Sequence, residues 1–170
     1  MKTTKLIPIL CTIVFMLLNQ SIKAKQLINQ NGPGLEIAST LTLDGEKISG
    51  YTLIIYDETQ SSDTLEIAKA KSIYLKLAYG HIYSLRYIKT GFRERVVMVN
   101  TKIDEEKKNE ETGFDFEIEM VRKNQPANTI SDLPVAVIRY DASENKFEYS
   151  REYHRQIRKK EIEETDADLN

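Results

Sequence analysis

Cysteine is nearly absent from this sequence, in which Cys11 is the only one among 170 residues. A single cysteine excludes an intramolecular disulfide and a zinc site built on several thiolates. Cys11 lies inside an apolar run and follows Ile9 and Leu10, whereas a lipid-attachment cysteine follows small residues, so we interpret it as a hydrophobic filler. The stability of the domain therefore has to come from packing.

Histidine is the next scarce residue type. His81 falls on a predicted hairpin and His154 on a predicted helix, and neither has a cysteine, histidine or closely spaced carboxylate in a ligand-like pattern. Carboxylates are common, but their richest run, residues 102–112, is charged throughout and predicts a solvated connection rather than a catalytic cleft or a calcium loop. The sequence also has no nucleophile–base pair and no phosphate-binding glycine loop. We therefore expect no catalytic residue, no metal site and no cofactor.

Neither sign of charge is in large excess, since 24 lysine and arginine residues stand against 26 aspartate and glutamate residues. Both signs are interspersed, which argues against a basic nucleic-acid footprint and against disorder. Tryptophan is missing and tyrosine occurs nine times, a composition that suits strands with one buried face. The lack of tryptophan counts modestly against a glycan-binding platform, because such a platform exposes flat aromatic rings.

The first 24 residues are typical of an export signal. Lys2 and Lys5 precede an apolar run, Leu6–Leu18, and the small residue Ala24 follows a short polar stretch. The apolar run is shorter than the roughly 20 residues that span a bilayer as a permanent helix. We expect cleavage after Ala24, a mature protein that begins at Lys25, and a periplasmic or outer-membrane-associated location without a permanent membrane span. An uncleaved anchor is the alternative.

Alternating apolar and polar residues predict a mainly β domain. In the stretch Leu77–Thr101, two alternating runs flank a turn at Thr90 and Gly91, which predicts a β-hairpin with Tyr83 and Leu85 on one face. The remaining predicted strands are Leu35–Leu43, Tyr51–Tyr56, Thr64–Ile67, Ser72–Leu77, Phe114–Met120, Pro134–Tyr140 and Lys146–Tyr149.

About seven short strands with turn signals roughly every 8 to 12 residues indicate an antiparallel β-sandwich with a C-terminal β-hairpin and a short C-terminal helix. Residues 25–38 contain a Gly-Pro-Gly cluster and predict a flexible lead-in, residues 39–149 the sandwich, and residues 150–170 a helix capped by Ser150 and a charged tail. Asp44 and Gly45 predict a tight turn. The expected core contains Leu53, Ile55, Leu75, Tyr83, Leu85, Val97, Val99, Phe116 and Ile118.

Two segments carry a resemblance to a known family. LTLDGEKISGYTLIIYD, followed by YLKLAYGHIYSLRYIKTGF, resembles the carboxypeptidase regulatory-like domain family, a transthyretin-like sandwich of exported proteins. The tail with PVAVIRYDASENKFEYSREY is similar to a variant found in Bacteroidota envelope proteins, and the resemblance covers roughly Ser39 to Tyr153. The sequence departs from the family at Lys69–Lys71, where a glycine-containing turn is usual. The matching framework positions are Asp44, Gly45, Gly50–Tyr56, Leu77, Gly80, Tyr83, Leu85, Gly91 and Phe92.

The resemblance implies a non-catalytic domain of the cell envelope that acts as a structural or protein-interaction module, with an envelope protein as partner. A glycan- or peptide-binding module is the alternative. The aromatic residues Tyr140, Phe147 and Tyr149 on the C-terminal hairpin are the candidate binding residues, because aromatic side chains offer apolar contact area. The competing interpretation is that these three residues cover the open end of the core.

Overall fold

In the computed structural model, residues 32–59, 62–104, 106, 112–124 and 133–157 are described. The predicted signal peptide, the first part of the lead-in and the charged tail after residue 157 lie outside the described residues. A helix, α1, covers residues 151–157. The described residues contain ten strands: β1 (Gly34–Leu43), β2 (Glu46–Lys47), β3 (Tyr51–Asp57), β4 (Ser62–Ile67), β5 (Ser72–Ala78), β6 (Ile82–Ile88), β7 (Arg95–Asn100), β8 (Thr112–Glu119), β9 (Ala136–Asp141) and β10 (Lys146–Tyr149).

The smaller of two sheets, sheet A, is centred on β1. This strand pairs antiparallel with β5 along its first part and antiparallel with the short β2 at its end. On its other side β1 pairs in parallel with β8. As in any strand, alternate residues of β1 face either the core or the outer face of the sheet.

The larger sheet, sheet B, has the strand order β10-β9-β7-β6-β3-β4. All neighbours in it are antiparallel except β7 and β9, which are parallel. The β6–β7 hairpin predicted from the sequence lies in the middle of this sheet, with Tyr83 opposite Val99 and Leu85 opposite Val97. β4 and β10 form its two edges.

The inward faces of sheets A and B form one hydrophobic core. Eight of the nine predicted core residues are buried, and the ninth, Leu75, is partly buried and packs against the same core. This outcome confirms the phase of every alternating run that supplied a core residue, since a slip of one residue would have moved the whole set to the opposite face.

Local signals specify one tight turn and the start of one helix. Asp44 and Gly45 have φ values of 52° and 81° and form a two-residue loop between β1 and β2, as expected for a type I′ turn. Ser150 caps α1, because its hydroxyl oxygen accepts the Tyr153 N–H at 3.3 Å. The Tyr153 hydroxyl in turn donates to the carbonyl of Pro134, which holds α1 against the start of β9. Within the described ranges, no helix is both long enough and apolar enough to cross a membrane.

The structure confirms a mainly β sandwich with a C-terminal hairpin and a short helix, and it differs from the prediction in detail. Two of the pairings, β1 with β8 and β7 with β9, are parallel rather than antiparallel. β2, with two residues, is too short for its alternation to be visible in the sequence. β1 begins at Gly34, one residue before the predicted strand Leu35–Leu43, and so lies partly inside the stretch assigned to the flexible lead-in; Leu35 and Ile37 are buried in the core.

Candidate interaction site

The three predicted binding residues, Tyr140, Phe147 and Tyr149, lie on the hairpin at one edge of sheet B. β9 and β10 pair with Phe147 opposite Tyr140 and Tyr149 opposite Ile138. Directly opposite residues share one face of a sheet, and so do residues two apart in a strand. The hairpin therefore brings the three aromatic side chains together on the face that includes the buried Ile138.

The turn of this hairpin holds the Tyr140 ring. The Asp141 carboxylate accepts hydrogen bonds from the Ser143 hydroxyl at 2.6 Å and from its N–H at 2.8 Å, and these bonds lower the pKa of Asp141. Asn145 closes the turn with a φ of 52°, and its side-chain oxygen accepts the Tyr140 hydroxyl at 2.5 Å. The Tyr140 hydroxyl is thus occupied by the turn of its own hairpin.

Phe147 is the buried member of the group, with 5% of its surface exposed. Its ring centroid lies 5.5 Å from that of Tyr140 and 6.4 Å from that of Tyr79, whose plane is nearly parallel to it, 4° away. Tyr79 follows β5 of sheet A, and its hydroxyl lies 2.9 Å from the Thr112 hydroxyl at the start of β8. Phe147 therefore closes the gap between the two sheets and belongs to the core.

Tyr149 combines a packed ring with exposure. It stands edge-on against Phe114 of β8, with 5.2 Å between centroids and 83° between planes, and against His154 of α1, with 5.9 Å and 81°. It nevertheless exposes 38% of its surface, and partial burial raises the pKa of its phenol. Among the three predicted residues, Tyr149 is the one that offers a partner an accessible aromatic ring.

Tyr74 is a second exposed aromatic residue, and it is not among the predicted binding residues. It lies on β5, between the buried Ile73 and the partly buried Leu75, and exposes 83% of its surface. The available signal was its place in the polar phase of an alternating strand, where a large aromatic ring is unusual.

Neither histidine lies in a cluster of metal-binding side chains among the described residues. The Nδ1 atom of His81 lies 4.0 Å from the Glu58 carboxylate, which also pairs with Lys102 at 3.0 Å. His154 is exposed and contacts the rings of Tyr149 and Tyr153. In the described residues, three or more histidine, cysteine, aspartate or glutamate side chains nowhere gather in a group able to hold a metal ion.

Comparison with known proteins adds little to this geometry. No protein-family model matches the sequence, and no curated protein matches it. Among solved structures, catechol 1,2-dioxygenase from Acinetobacter sp. ADP1, inhibited by bound mercury, is similar over 64% of this chain and 59% of that chain, with a TM-score of 0.40 and 11% identity. The match spans less than two thirds of the dioxygenase, and a similarity at this level carries no argument about activity.

Proposed function

We propose that this chain is an exported, non-catalytic domain of the cell envelope that acts as a structural or protein-interaction module. The signal-like residues 1–24 and the resemblance to carboxypeptidase regulatory-like domains support this proposal. The observation that carries it is Tyr149, whose ring is held against Phe114 and His154 and yet is 38% exposed. An aromatic ring already held by packing loses little conformational entropy when a partner covers it.

The hairpin that carries Tyr149 also carries ion pairs on its opposite face. Glu148 of β10 pairs with Arg151 of α1 at 3.3 Å. Arg139 of β9 lies 4.0 Å from Glu152 of α1. Glu148 is opposite Arg139, on the face of the hairpin that Tyr149 does not share, so these charges lie behind the ring and balance each other. A single-sign patch, as needed for nucleic acid, is not what these four residues form. The proposed partner is an envelope protein, as the resemblance implies.

The test is recovery of a partner from envelope extracts with the purified protein as bait. Tyr149→Ala should lower recovery of that partner at least about tenfold, because truncation of an aromatic hot spot costs more than about 1.4 kcal/mol. Tyr149→Phe is the matched control, since it keeps the ring and its contacts with Phe114 and His154. If Tyr149→Ala leaves both the circular dichroism spectrum and the recovery unchanged, this hairpin is not the docking surface.

A glycan- or peptide-binding module is the second candidate, and the observation that favours it is the exposed ring of Tyr74. Sugar rings stack on flat aromatic surfaces, which Tyr74 offers on the outer face of sheet A. Here the same extracts would yield soluble glycans or peptides instead of a protein, and Tyr74→Ala would abolish their retention whereas Tyr149→Ala would not.

Export itself is tested by the N-terminus of the expressed protein. Sequencing should start at or near Lys25, because a short apolar run between Lys5 and Ala24 is a processing signal. An intact Met1 in a membrane fraction would instead establish an uncleaved anchor.

A further inference from the structure

β5 is an edge strand of sheet A. It pairs with β1 over seven residues, from Gly34 opposite Ala78 to Thr40 opposite Ser72. In the part of the chain that the structure describes, no strand pairs with the other side of β5. Backbone N–H and C=O groups alternate in direction along a strand, so part of those of β5 point away from the sheet and form a template for another strand.

The other edges carry features that discourage such pairing. β8 presents Asp115, Glu117 and Glu119 as exposed carboxylates on alternate positions. β4 includes Asp63 and Glu66. β10 has only four residues and runs directly into α1. Charges, shortness and coverage are the usual means by which edge strands avoid association.

β5 has little of this protection. Seven residues long, it contains a single charged side chain, Lys76. Its core face is apolar, with Ile73 and Leu77 buried and Leu75 packed against the core. Its outer face carries Tyr74, which is the most exposed large apolar side chain in the described residues. An edge of this kind is where association is expected.

We propose that β5 pairs antiparallel with β5 of a second copy of this chain, joining two A sheets into one continuous sheet. The register that pairs all seven residues of the strand places Leu75 on the two-fold axis, opposite its own copy. Ile73 then lies opposite Leu77, and Tyr74 lies opposite Lys76. Directly opposite residues of paired strands lie on the same face. The apolar residues of both copies therefore remain on the core face, and Tyr74 and Lys76 remain on the outer face.

The strand is complementary to itself in this register. Each Tyr74 ring meets a lysine ammonium of the other copy, a cation–π pair, and the two-fold axis makes this pair occur twice. On the core face, branched apolar side chains meet branched apolar side chains. An unrelated peptide strand would form the same backbone hydrogen bonds but would have to supply these side chains by chance, so a second copy is the occupant that the residues favour.

One added strand pair is a small interface, so the dimer is weak and forms as protein concentration rises. Sedimentation equilibrium of the purified protein should show a mass that increases from monomer toward dimer. Tyr74→Lys places like charges opposite each other at two positions and should raise the dimer dissociation constant at least about tenfold. Tyr74→Glu faces the same lysine with an opposite charge and should preserve dimerisation. The opposite behaviour of these two charged variants is specific to the proposed register.

A disulfide tests the axis directly. In a Cys11→Ser background, the introduced cysteine is the only one in the chain. Leu75→Cys brings two thiols together on the axis, where Cα atoms are about 4.5 to 5.5 Å apart, within the reach of a disulfide. Ser72→Cys is the control, since its two copies lie about 20 Å apart along the strands. Mild oxidation with oxygen should cross-link the first variant and not the second.

The proposal is overturned by any of three results. The protein could remain monomeric at the highest concentration, whatever other molecule binds to β5. Tyr74→Glu could weaken the dimer as much as Tyr74→Lys does. Ser72→Cys could cross-link as readily as Leu75→Cys. None of these results bears on Tyr149 or its hairpin, so this inference and the proposed function fail independently.

Discussion

Thr101 is expected to be a polar residue on which the stability of the domain depends strongly. It follows β7 and has no exposed surface. Its hydroxyl donates to the carbonyl of Ala78 at 2.7 Å and accepts the N–H of His81 at 3.1 Å. Its backbone N–H donates to the His81 carbonyl at 2.8 Å, and its carbonyl accepts the Gly80 N–H at 3.0 Å. This residue, just after β7 of sheet B, thereby holds the connection between β5 of sheet A and β6.

Thr101→Val removes the hydroxyl and keeps the shape of the side chain. The Ala78 carbonyl and the His81 N–H would then lose a side-chain partner in a partly buried place, and each such loss costs about 1 to 3 kcal/mol. We expect a decrease of about 2 to 6 kcal/mol in the free energy of unfolding. Thr101→Ser keeps the hydroxyl and removes one methyl group, so it should cost only about 1 kcal/mol.

Urea unfolding followed by circular dichroism measures both variants, and an unchanged m-value shows that the compactness of the two states is preserved. The connection between β5 and β6, which Thr101 holds, contains Tyr79, and Tyr79 stacks on Phe147. Near-ultraviolet circular dichroism should therefore report a looser aromatic environment in Thr101→Val and not in Thr101→Ser. The reasoning is refuted if Thr101→Val lies within about 0.5 kcal/mol of the wild type, or if Thr101→Ser costs as much as Thr101→Val.

Four further results follow from the packing. Leu85→Ala should cost about 2 to 5 kcal/mol in urea unfolding, because Leu85 is fully buried, and a loss under about 0.5 kcal/mol would contradict its place in the core. Gly34→Ala should cost about 1 to 3 kcal/mol, because an added Cβ would collide with the Leu77 carbonyl oxygen; wild-type stability would disprove that close approach. Ser150→Ala should cost about 1 kcal/mol through loss of the α1 cap, measured against Ser150→Thr, which keeps a capping hydroxyl. Burial raises the pKa of Tyr51 and Tyr83 from 10.0 to about 12, so the unfolded chain releases these protons first. The free energy of unfolding should therefore be constant below pH 10 and should fall as pH rises toward 12, with a smaller slope in Tyr83→Phe. A flat profile in that range would contradict the burial of both phenols.

Local sequence was sufficient where the structure depends on a residue and its near neighbours. Alternation placed Leu85 and Val97 on the core face, because the side chains of a strand point to opposite faces in turn. Asp44 and Gly45 specified their turn, because both tolerate the positive φ that a two-residue hairpin loop requires. Ser150 specified the start of α1, because its hydroxyl satisfies an N–H that has no partner within the helix.

The candidate site was predictable only in part. The sequence brought Tyr140, Phe147 and Tyr149 to one hairpin, since strands separated by a short turn pair with each other. The sequence could not show which of the three is exposed, because their exposure depends on residues far away in the chain. Tyr79, just after β5, stacks on Phe147, whereas Phe114 of β8 contacts Tyr149 and leaves part of it accessible.

Only the tertiary structure decided which strands meet and where the edges lie. The parallel pairings of β1 with β8 and of β7 with β9 join strands far apart in sequence, and the same alternation is compatible with many strand orders. Gly34 reads locally as part of a flexible glycine cluster, yet it permits the close approach of β1 to β5. Tyr74 and Phe147 are both aromatic residues in alternating strands, but one is 83% exposed and the other 5%, because one lies on the outer face of an edge and the other lies between two sheets. Sequence alone determined the secondary structure and the buried phase of the longer alternating strands, since both follow from local geometry, whereas exposure and open edges are properties of the assembled sheets.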